Sequence, residues 1–307
     1  MDTNFAAIDI GSNSTNLLIT DRTGKTIERV VRTTRLGADL LKTGRLSSES
    51  IQRTVVCLEE YEKLILSNRI TTENRRTVAT AACRVAKNTD EFFTEVKRIS
   101  GKEPELLSGQ TEGALAFLGA TSALQPPEPT LVIDIGGAST ELMVGNEKLD
   151  FAVSLPFGAV TVTESELHRD PPRPEELTNA ISMVADAVDD VAHNHPQINQ
   201  VSRVVGVAGT IVTIAAVEVG QKNLDVDKLH KMRLSRDAVE DVFRTLATEP
   251  LRDRVFNPGL PKDRADIIVG GCCVLVAVMR RLQISEIIVS QYNLLDGVIS
   301  ELRKKQA

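Results

Sequence analysis

Apolar residues follow two periods along this chain. Phe5–Ile10 (FAAIDI), Leu17–Thr20 (LLIT) and Thr26–Arg32 (TIERVVR) are short runs, with Asp21-Arg22-Thr23-Gly24-Lys25 between the last two. Short apolar runs bounded by turn residues predict strands, so the opening reads as an antiparallel meander. Beyond Ser47-Ser48 the spacing becomes helical: Ile51, Val55, Leu58, Leu64 and Ile65 predict an amphipathic helix to about Leu66. Arg76–Thr80 then predicts a parallel strand, 89–101 a helix, Glu105–Leu107 a strand and Ala114–Ala123 an apolar helix.

The cluster Gln125-Pro126-Pro127-Glu128-Pro129 cannot continue a helix and marks a boundary. After it the pattern starts again. Strands are predicted at Leu131–Ile135, Glu141–Val144 and about Leu149–Ser154, then a loop from Phe157-Gly158 and a long helix from Pro174 to His193. Val204–Ala208 predicts a buried strand running into Gly209-Thr210, with a helix beyond it. His230–Leu234 predicts a short strand, Ser235 the N-cap of a helix to about Thr248, Asp263–Gln283 a mostly helical tract and Ile287–Val289 a buried strand. Leu294 to about Lys304 is the last helix. The expected organisation is two domains, 1–125 and 126–307, with the closing helix, about 294–307, a candidate to pack back on the first.

The two halves share a motif. Residues 8–17 read IDIGSNSTNL and residues 133–142 read IDIGGASTEL, an offset of 125 at which seven of the ten residues coincide. The matches fall on Asp, Gly, Ser and Thr as well as on apolar positions. A strand that ends in Asp and breaks into small residues places backbone N–H groups toward one point, as a phosphate cradle requires. Asp134 and Glu141 put negative charge beside such a cradle, which makes sense with a cation such as Mg²⁺ between them. Gly209-Thr210 is a third Gly/Thr turn after a strand, where a phosphate or nucleotide could rest. Two further features belong to this picture. Ala81-Ala82-Cys83-Arg84 places an Arg just beyond a strand end, and Glu112 lies in the first turn of a helix opened by Ser108-Gly109-Gln110. Glu112 either complements the helix dipole or serves as a rigidly held general base.

Composition narrows the partners. Of 307 residues, 42% are apolar, 25% charged and 3% aromatic, with no Trp, which argues against a stacking platform for single-stranded nucleic acid. The net charge of −6 supplies no global field for a polyanion, so an anionic ligand needs local cations. Arg29, Arg32 and Arg35 recur every third residue and form either a solvated edge or a basic lining suited to phosphate oxygens. No GxxxxGK[ST] motif is present. The four cysteines, Cys57, Cys83, Cys272 and Cys273, lack zinc-type spacing and read as reduced thiols of a cytoplasmic protein. Met1-Asp2-Thr3-Asn4 lacks the basic start of a signal peptide, and the apolar tract 267–279 is too short to span a bilayer comfortably, so it is expected to be a buried helix.

These residues together resemble the exopolyphosphatase / guanosine pentaphosphate phosphatase family of the actin, sugar kinase and chaperone-ATPase superfamily. The resemblance runs over nearly the whole chain: IDIGSNSTNLLI (8–19), VATAACRVAKN (78–88), SGQTEGALAFLGA (108–120), VIDIGGASTELMVG (132–145), VGVAGTIVT (205–213), RADIIVGG (264–271) and IIVSQYNLLDGV (287–298). It implies an α/β fold of two ribonuclease-H-like domains with mixed sheets flanked by helices and an active site in the interdomain cleft. It implies the short form of the family, without the additional C-terminal helical domains of longer members. The implied reaction is metal-dependent hydrolysis of the terminal phosphoanhydride of inorganic polyphosphate, with Mg²⁺ or Mn²⁺.

By position, Glu112 matches the family's catalytic carboxylate, and Asp134 and Glu141 match its metal-handling acids, with Asp9 their counterpart in the first loop. Ser12, Asn13 and Ser14 match the first phosphate loop; Gly136, Gly137, Ala138, Ser139 and Thr140 match the second. Arg84 falls at a phosphate-contacting Arg, and Gly209, Arg32 and Arg35 are the remaining candidate phosphate contacts. A homodimer is implied by the family alone, and no nucleic-acid or membrane partner is expected. Two departures stand out. Ala138 replaces a glycine of the family's GGGST loop and is expected to alter the loop and its phosphate affinity, because its Cβ resists positive φ. Thr111 replaces an acid, which is expected to leave Glu112 with a lower pKa. The alternative activities are hydrolysis of the 5′-γ-phosphate of guanosine pentaphosphate, a superfamily kinase, and noncatalytic sensing of polyphosphate or guanosine tetraphosphate.

Overall fold

The computed structural model describes residues 4–124, 126–221 and 226–305. Gln125, where the sequence places the boundary, lies outside them. The elements run β1 (Phe5–Ile10), β2 (Ser14–Thr20), β3 (Thr26–Thr33), α1 (Leu40–Thr43), α2 (Ser48–Ser67), β4 (Arg75–Ala79), α3 (Ala81–Val85), α4 (Thr89–Ser100), β5 (Glu105–Leu106) and α5 (Gly109–Thr121). They continue with β6 (Thr130–Ile135), β7 (Thr140–Gly145), β8 (Leu149–Leu155), α6 (Ala159–Glu166), α7 (Pro174–Asn194), β9 (Arg203–Val207), α8 (Ala208–Glu218) and α9 (Val226–Leu229). β10 (Arg233–Ser235), α10 (Arg236–Thr248), α11 (Leu251–Arg254), α12 (Ile268–Arg281), β11 (Glu286–Val289) and α13 (Leu294–Lys304) complete the chain. They form two compact units, Met1–Ser122 with Asn293–Ala307, and Ala123–Tyr292.

The first unit holds one sheet in the order β3-β2-β1-β4-β5, antiparallel through the meander and parallel from β1 outward. The second holds β10-β11-β9-β6-β7-β8, again a meander (β6, β7, β8) joined to parallel strands, with β10 antiparallel at the far edge. Two mixed sheets flanked by helices, each opening with a meander, make the actin-like ATPase type of fold that the resemblance implies. Helices cover both faces of the central strands. This is why β1 and β6 are apolar on consecutive residues rather than alternate ones.

Each unit has its own core. In the first, Ile8, Ile10, Leu17 and Ile19 of the sheet meet Tyr61 and Ile65 of α2 and Phe92 of α4. In the second, α12 is buried along Ile268–Met279 and shares a core with the sheet's Ile133, Leu142 and Ile287. No helix among the described residues is long and apolar enough to cross a membrane. α5 and α13 touch backbone to backbone within the first unit. A Cβ on Gly119 would lie 1.9 Å from the Asn293 carbonyl oxygen, and one on Gly297 would lie 1.9 Å from that of Leu115.

Several elements differ from expectation. β2 starts at Ser14 rather than Leu17, and α5 starts at Gly109 rather than Ala114. α3, of five residues, and α6, of eight, stand where only a turn and a loop are expected. Helices this short give a period of 3.6 too few repeats to show. The 263–283 tract is also not continuous: a 3₁₀ turn at Lys262–Arg264 precedes α12, which begins at Ile268.

Candidate active site

The two repeated loops have the same internal geometry. Gly11 N–H donates to the Ser14 carbonyl at 3.0 Å, and Gly136 N–H donates to the Ser139 carbonyl at 3.0 Å. In each unit the segment after the third strand then takes the loop's carbonyls. Thr34 and Arg35 N–H donate to the Asn13 carbonyl at 3.0 and 2.9 Å, and Gly37 N–H to that of Ser12 at 2.8 Å. Ala159 N–H donates to the Gly136 carbonyl at 2.9 Å, and Val160 and Thr161 N–H to that of Gly137 at 2.8 and 3.2 Å. With the carbonyls held back, the N–H groups of Ser12, Asn13, Gly137, Ala138 and Ser139 have no backbone acceptor among the described residues. They form two anion-ready arcs.

Ala138 is absent from the residues with positive φ, and Gly136 and Gly137 also keep negative φ, so the methyl group imposes no backbone strain. The glycine this loop depends on is Gly158, which the sequence shows only as the start of a loop. A Cβ there would lie 2.5 Å from the Gly137 carbonyl carbon and oxygen and 2.7 Å from the Ala138 nitrogen.

The first unit gathers three charged residues. Asp9 sits opposite Asn16 in the β1–β2 ladder, and Asn16 Nδ2 donates to Asp9 Oδ2 at 3.1 Å. Asp9 Oδ1 is buried without a hydrogen-bond partner. Burial pushes the Asp9 pKa up to about 7, and the negative charge of Glu112 adds to the shift. Glu112 is held in the first turn of α5 because Ser108 caps that helix, its Oγ accepting from Thr111 N–H at 3.1 Å. Thr111 Oγ1 lies 2.9 Å from the same Ser108 hydroxyl, so Thr111 reinforces the cap.

Arg84 of α3 donates from Nη1 to Glu112 Oε2 and, at 3.1 Å, to the Leu107 carbonyl. α3 begins beside the first loop because Thr80 N–H donates to the Ile10 carbonyl at 3.3 Å. Burial holds the Glu112 carboxyl above the usual carboxylate range, with the Arg84 charge opposing. The upward direction is thus set by burial and not by the residue at position 111.

In the second unit, Asp134 and Glu141 are cross-strand partners in the β6–β7 ladder. Two carboxylates placed opposite each other repel, and a hard cation is the natural compensation. Glu141 is buried and accepts from Ser154 Oγ at 2.7 Å. The donor chemistry therefore fits Mg²⁺ or Mn²⁺ twice: at this acidic pair, and at the partnerless oxygen of Asp9. No group of three or more His, Cys, Asp or Glu could hold a metal among the described residues. Mg²⁺ commonly uses one or two carboxylates and completes its shell with water and phosphate oxygens, so a pair is compatible with it.

The other candidates are distributed as follows. Ser12, Asn13 and Ser139 are buried and Ser14 is half-buried; both amide atoms of Asn13 lack a partner. Thr140 is wholly buried and its hydroxyl donates to the Phe157 carbonyl at 2.6 Å, so it holds the loop rather than facing a ligand. Arg35 adopts φ 51° and contributes its backbone to the first loop. Arg32 is exposed on β3, opposite Thr15 in the β2–β3 ladder, and lies 4.0 Å from Glu60 of α2. Gly209 is the second residue of α8, directly after Ala208 at φ 67°. The Arg264 guanidinium lies over it, 2.2 Å from where a Cβ would stand. Burial lowers the Arg264 pKa, opposed by Asp263. Arg264 opens the RADIIVGG segment (264–271), but a lone Arg gives no periodic signal, and it is not among the predicted phosphate contacts.

Comparison with known proteins points to one family of phosphatases. A model of the Ppx/GppA phosphatase family matches residues 18–306. Exopolyphosphatase 2 of Mycobacterium tuberculosis is 32% identical, covering 98% of both chains. Guanosine-5'-triphosphate,3'-diphosphate pyrophosphatase of Photobacterium profundum is 29% identical over 98% of this chain and 59% of its own length. The crystal structure of an Aquifex aeolicus Ppx/GppA family member superposes with a TM-score of 0.82 at 32% identity, covering 100% of both chains.

Proposed function

Because the chain belongs to the Ppx/GppA phosphatase family, we propose that it is an exopolyphosphatase. It would release orthophosphate from the end of linear polyphosphate, one residue at a time. The observation that carries the reading is Glu112, half-buried in the first turn of α5, paired with Arg84 and close enough to Asp9 for its charge to act on that carboxyl. A base raised above the ordinary carboxylate range is better matched to deprotonating water near neutral pH.

In the proposed reaction Glu112 orients a water molecule and accepts its proton. The water oxygen bonds to the terminal phosphorus as the anhydride P–O bond breaks, yielding orthophosphate and a chain shorter by one unit. Arg84 holds Glu112 in place and presents its remaining N–H groups to phosphate oxygens. Within the first unit the N–H arc at Ser12-Asn13 would take further oxygens; the arc at Gly137–Ser139, and Arg264 over Gly209, are candidate phosphate contacts of the second unit. Asp9, Asp134 and Glu141 are the residues proposed to hold Mg²⁺ or Mn²⁺, which would neutralise charge on the phosphoryl oxygens. A cytoplasmic homodimer is the working form proposed from family likeness.

The second reading is hydrolysis of the 5′-γ-phosphate of guanosine pentaphosphate, favoured by the similarity to the Photobacterium protein over 98% of this chain. The test is phosphate release from long-chain polyphosphate, guanosine pentaphosphate and ATP, each with Mg²⁺ and with Mn²⁺. Fast release from polyphosphate is expected. Release from guanosine pentaphosphate alone would select the second reading. No release from polyphosphate at any chain length or metal would overturn the first.

A further inference from the structure

The two loops share a device that the phosphate chemistry does not itself require. Thr15 and Thr140 are equivalents across the repeat, and both are wholly buried. Each hydroxyl reaches the segment that takes its loop's carbonyls. Thr140 Oγ1 donates to the Phe157 carbonyl, and Thr15 Oγ1 lies 2.9 Å from Thr34 Oγ1. In the first unit the tie is a side-chain pair, so it can be removed without touching the main chain.

Thr34 is the centre of that tie. Its N–H donates to the Asn13 carbonyl at 3.0 Å, and its own carbonyl accepts from Arg53 Nε at 2.9 Å. Arg53 is in turn anchored on α2 by Glu49 and Ser50. Tyr61 of the same helix donates its hydroxyl to the Thr15 carbonyl at 2.8 Å. What this network places is Asn13, whose Nδ2 and Oδ1 are both buried and partnerless. Buried amide atoms without partners are costly, and a ligand's oxygens and hydroxyls would satisfy them.

We infer that Thr34 is a positioning residue for substrate: its hydroxyl bond to Thr15 and its N–H bond to Asn13 hold the first loop where the Asn13 amide meets phosphate. The inference rests on the phosphatase reading but concerns binding rather than bond cleavage. Thr34 touches neither Glu112 nor Arg84 through any hydrogen bond, so its loss should act on KM and leave kcat nearly intact.

The test is steady-state polyphosphate hydrolysis by Thr34→Val, which keeps the shape and removes the hydroxyl. KM should rise about fivefold, the equivalent of one typical hydrogen bond, with kcat within about twofold of wild type. Thr34→Ser should restore KM. Thr15→Val/Thr34→Val separates positioning from stability. Replacing both partners leaves no unsatisfied hydroxyl, so thermal stability should recover toward wild type while KM stays raised. A wild-type KM in Thr34→Val, or recovery of KM together with stability in the double variant, would overturn the inference. If the wild-type protein releases no phosphate, that outcome belongs to the phosphatase reading. Calorimetric titration with tripolyphosphate then decides this inference: about fivefold weaker binding by Thr34→Val upholds it, while unchanged binding, or no binding by the wild type, refutes it.

Discussion

Replacing Gly158 by Ala tests whether the second loop works as a rigid cradle. Gly158 sits at φ −132° and ψ −179°, extended backbone that alanine adopts freely, so any penalty is steric. The added Cβ would lie 2.5 Å from the Gly137 carbonyl carbon, whereas ordinary contact begins at 3.4 Å. The overlap is roughly 0.9 Å by this comparison, and the atoms it meets are backbone, which cannot step aside by changing rotamer. Overpacking of this kind costs about 1–3 kcal/mol, partly offset by the smaller conformational freedom of alanine in the unfolded chain. A net loss of about 1–2 kcal/mol should lower Tm by roughly 3–6 °C. Activity should suffer far more. Displacing a substrate-positioning group by about 1 Å costs on the order of 100-fold, so kcat/KM for polyphosphate should fall by about that factor. Gly220→Ala is the control. Its φ is +61° with nothing within 4 Å, so it should lose about 1 kcal/mol to backbone strain while keeping full activity. Wild-type kcat/KM in Gly158→Ala, with a Tm loss no different from that of Gly220→Ala, would refute the cradle.

Four further outcomes are expected. Glu112→Gln should cut kcat by about 10²–10⁴-fold in the phosphate-release assay, and wild-type-like release would remove Glu112 from the role of base. The base acts deprotonated and its pKa is raised by burial, so the acid limb of the kcat/KM profile should lie above the ordinary carboxylate range, activity climbing as pH rises through it. Because the Arg84 charge opposes that shift, Arg84→Met should move the limb to still higher pH, and an unmoved limb would show that another group titrates. Gly297→Ala should destabilise the first unit by about 3 kcal/mol or more in thermal or urea unfolding, since its Cβ would meet the Leu115 carbonyl oxygen at 1.9 Å; full stability would mean that α5 and α13 separate at little cost.

Much of the chemistry was legible because it rides on local signals. The repeat at 8–17 and 133–142 appears in the structure as two loops with the same Gly N–H to Ser carbonyl bond. Strand ends followed by Gly, Ser and Thr announce themselves in one dimension, because tight turns restrict which residues can occupy them. Ser108 before Glu112 likewise marks a helix N-terminus from composition alone. The α3 and α6 helices were not legible, nor was the role of Gly158. A five-residue helix shows no period, and a glycine's value depends on which backbone lies against it.

The amino-acid sequence by itself determined the two-unit layout of mixed sheets, the family, and the acids and loops that carry the proposed chemistry. These are properties of short segments and of their spacing. The tertiary structure alone decided how they act. It paired Arg84 with Glu112 across 28 positions of chain, left an oxygen of Asp9 and the whole amide of Asn13 buried without partners, and turned Thr140 inward to hold its loop. It also showed that Ala138 needs no positive φ, because α6 rather than a glycine conformation holds the loop's carbonyls. Burial, unsatisfied polar atoms and backbone contact arise between segments far apart in the chain, and they exist only once the units are folded.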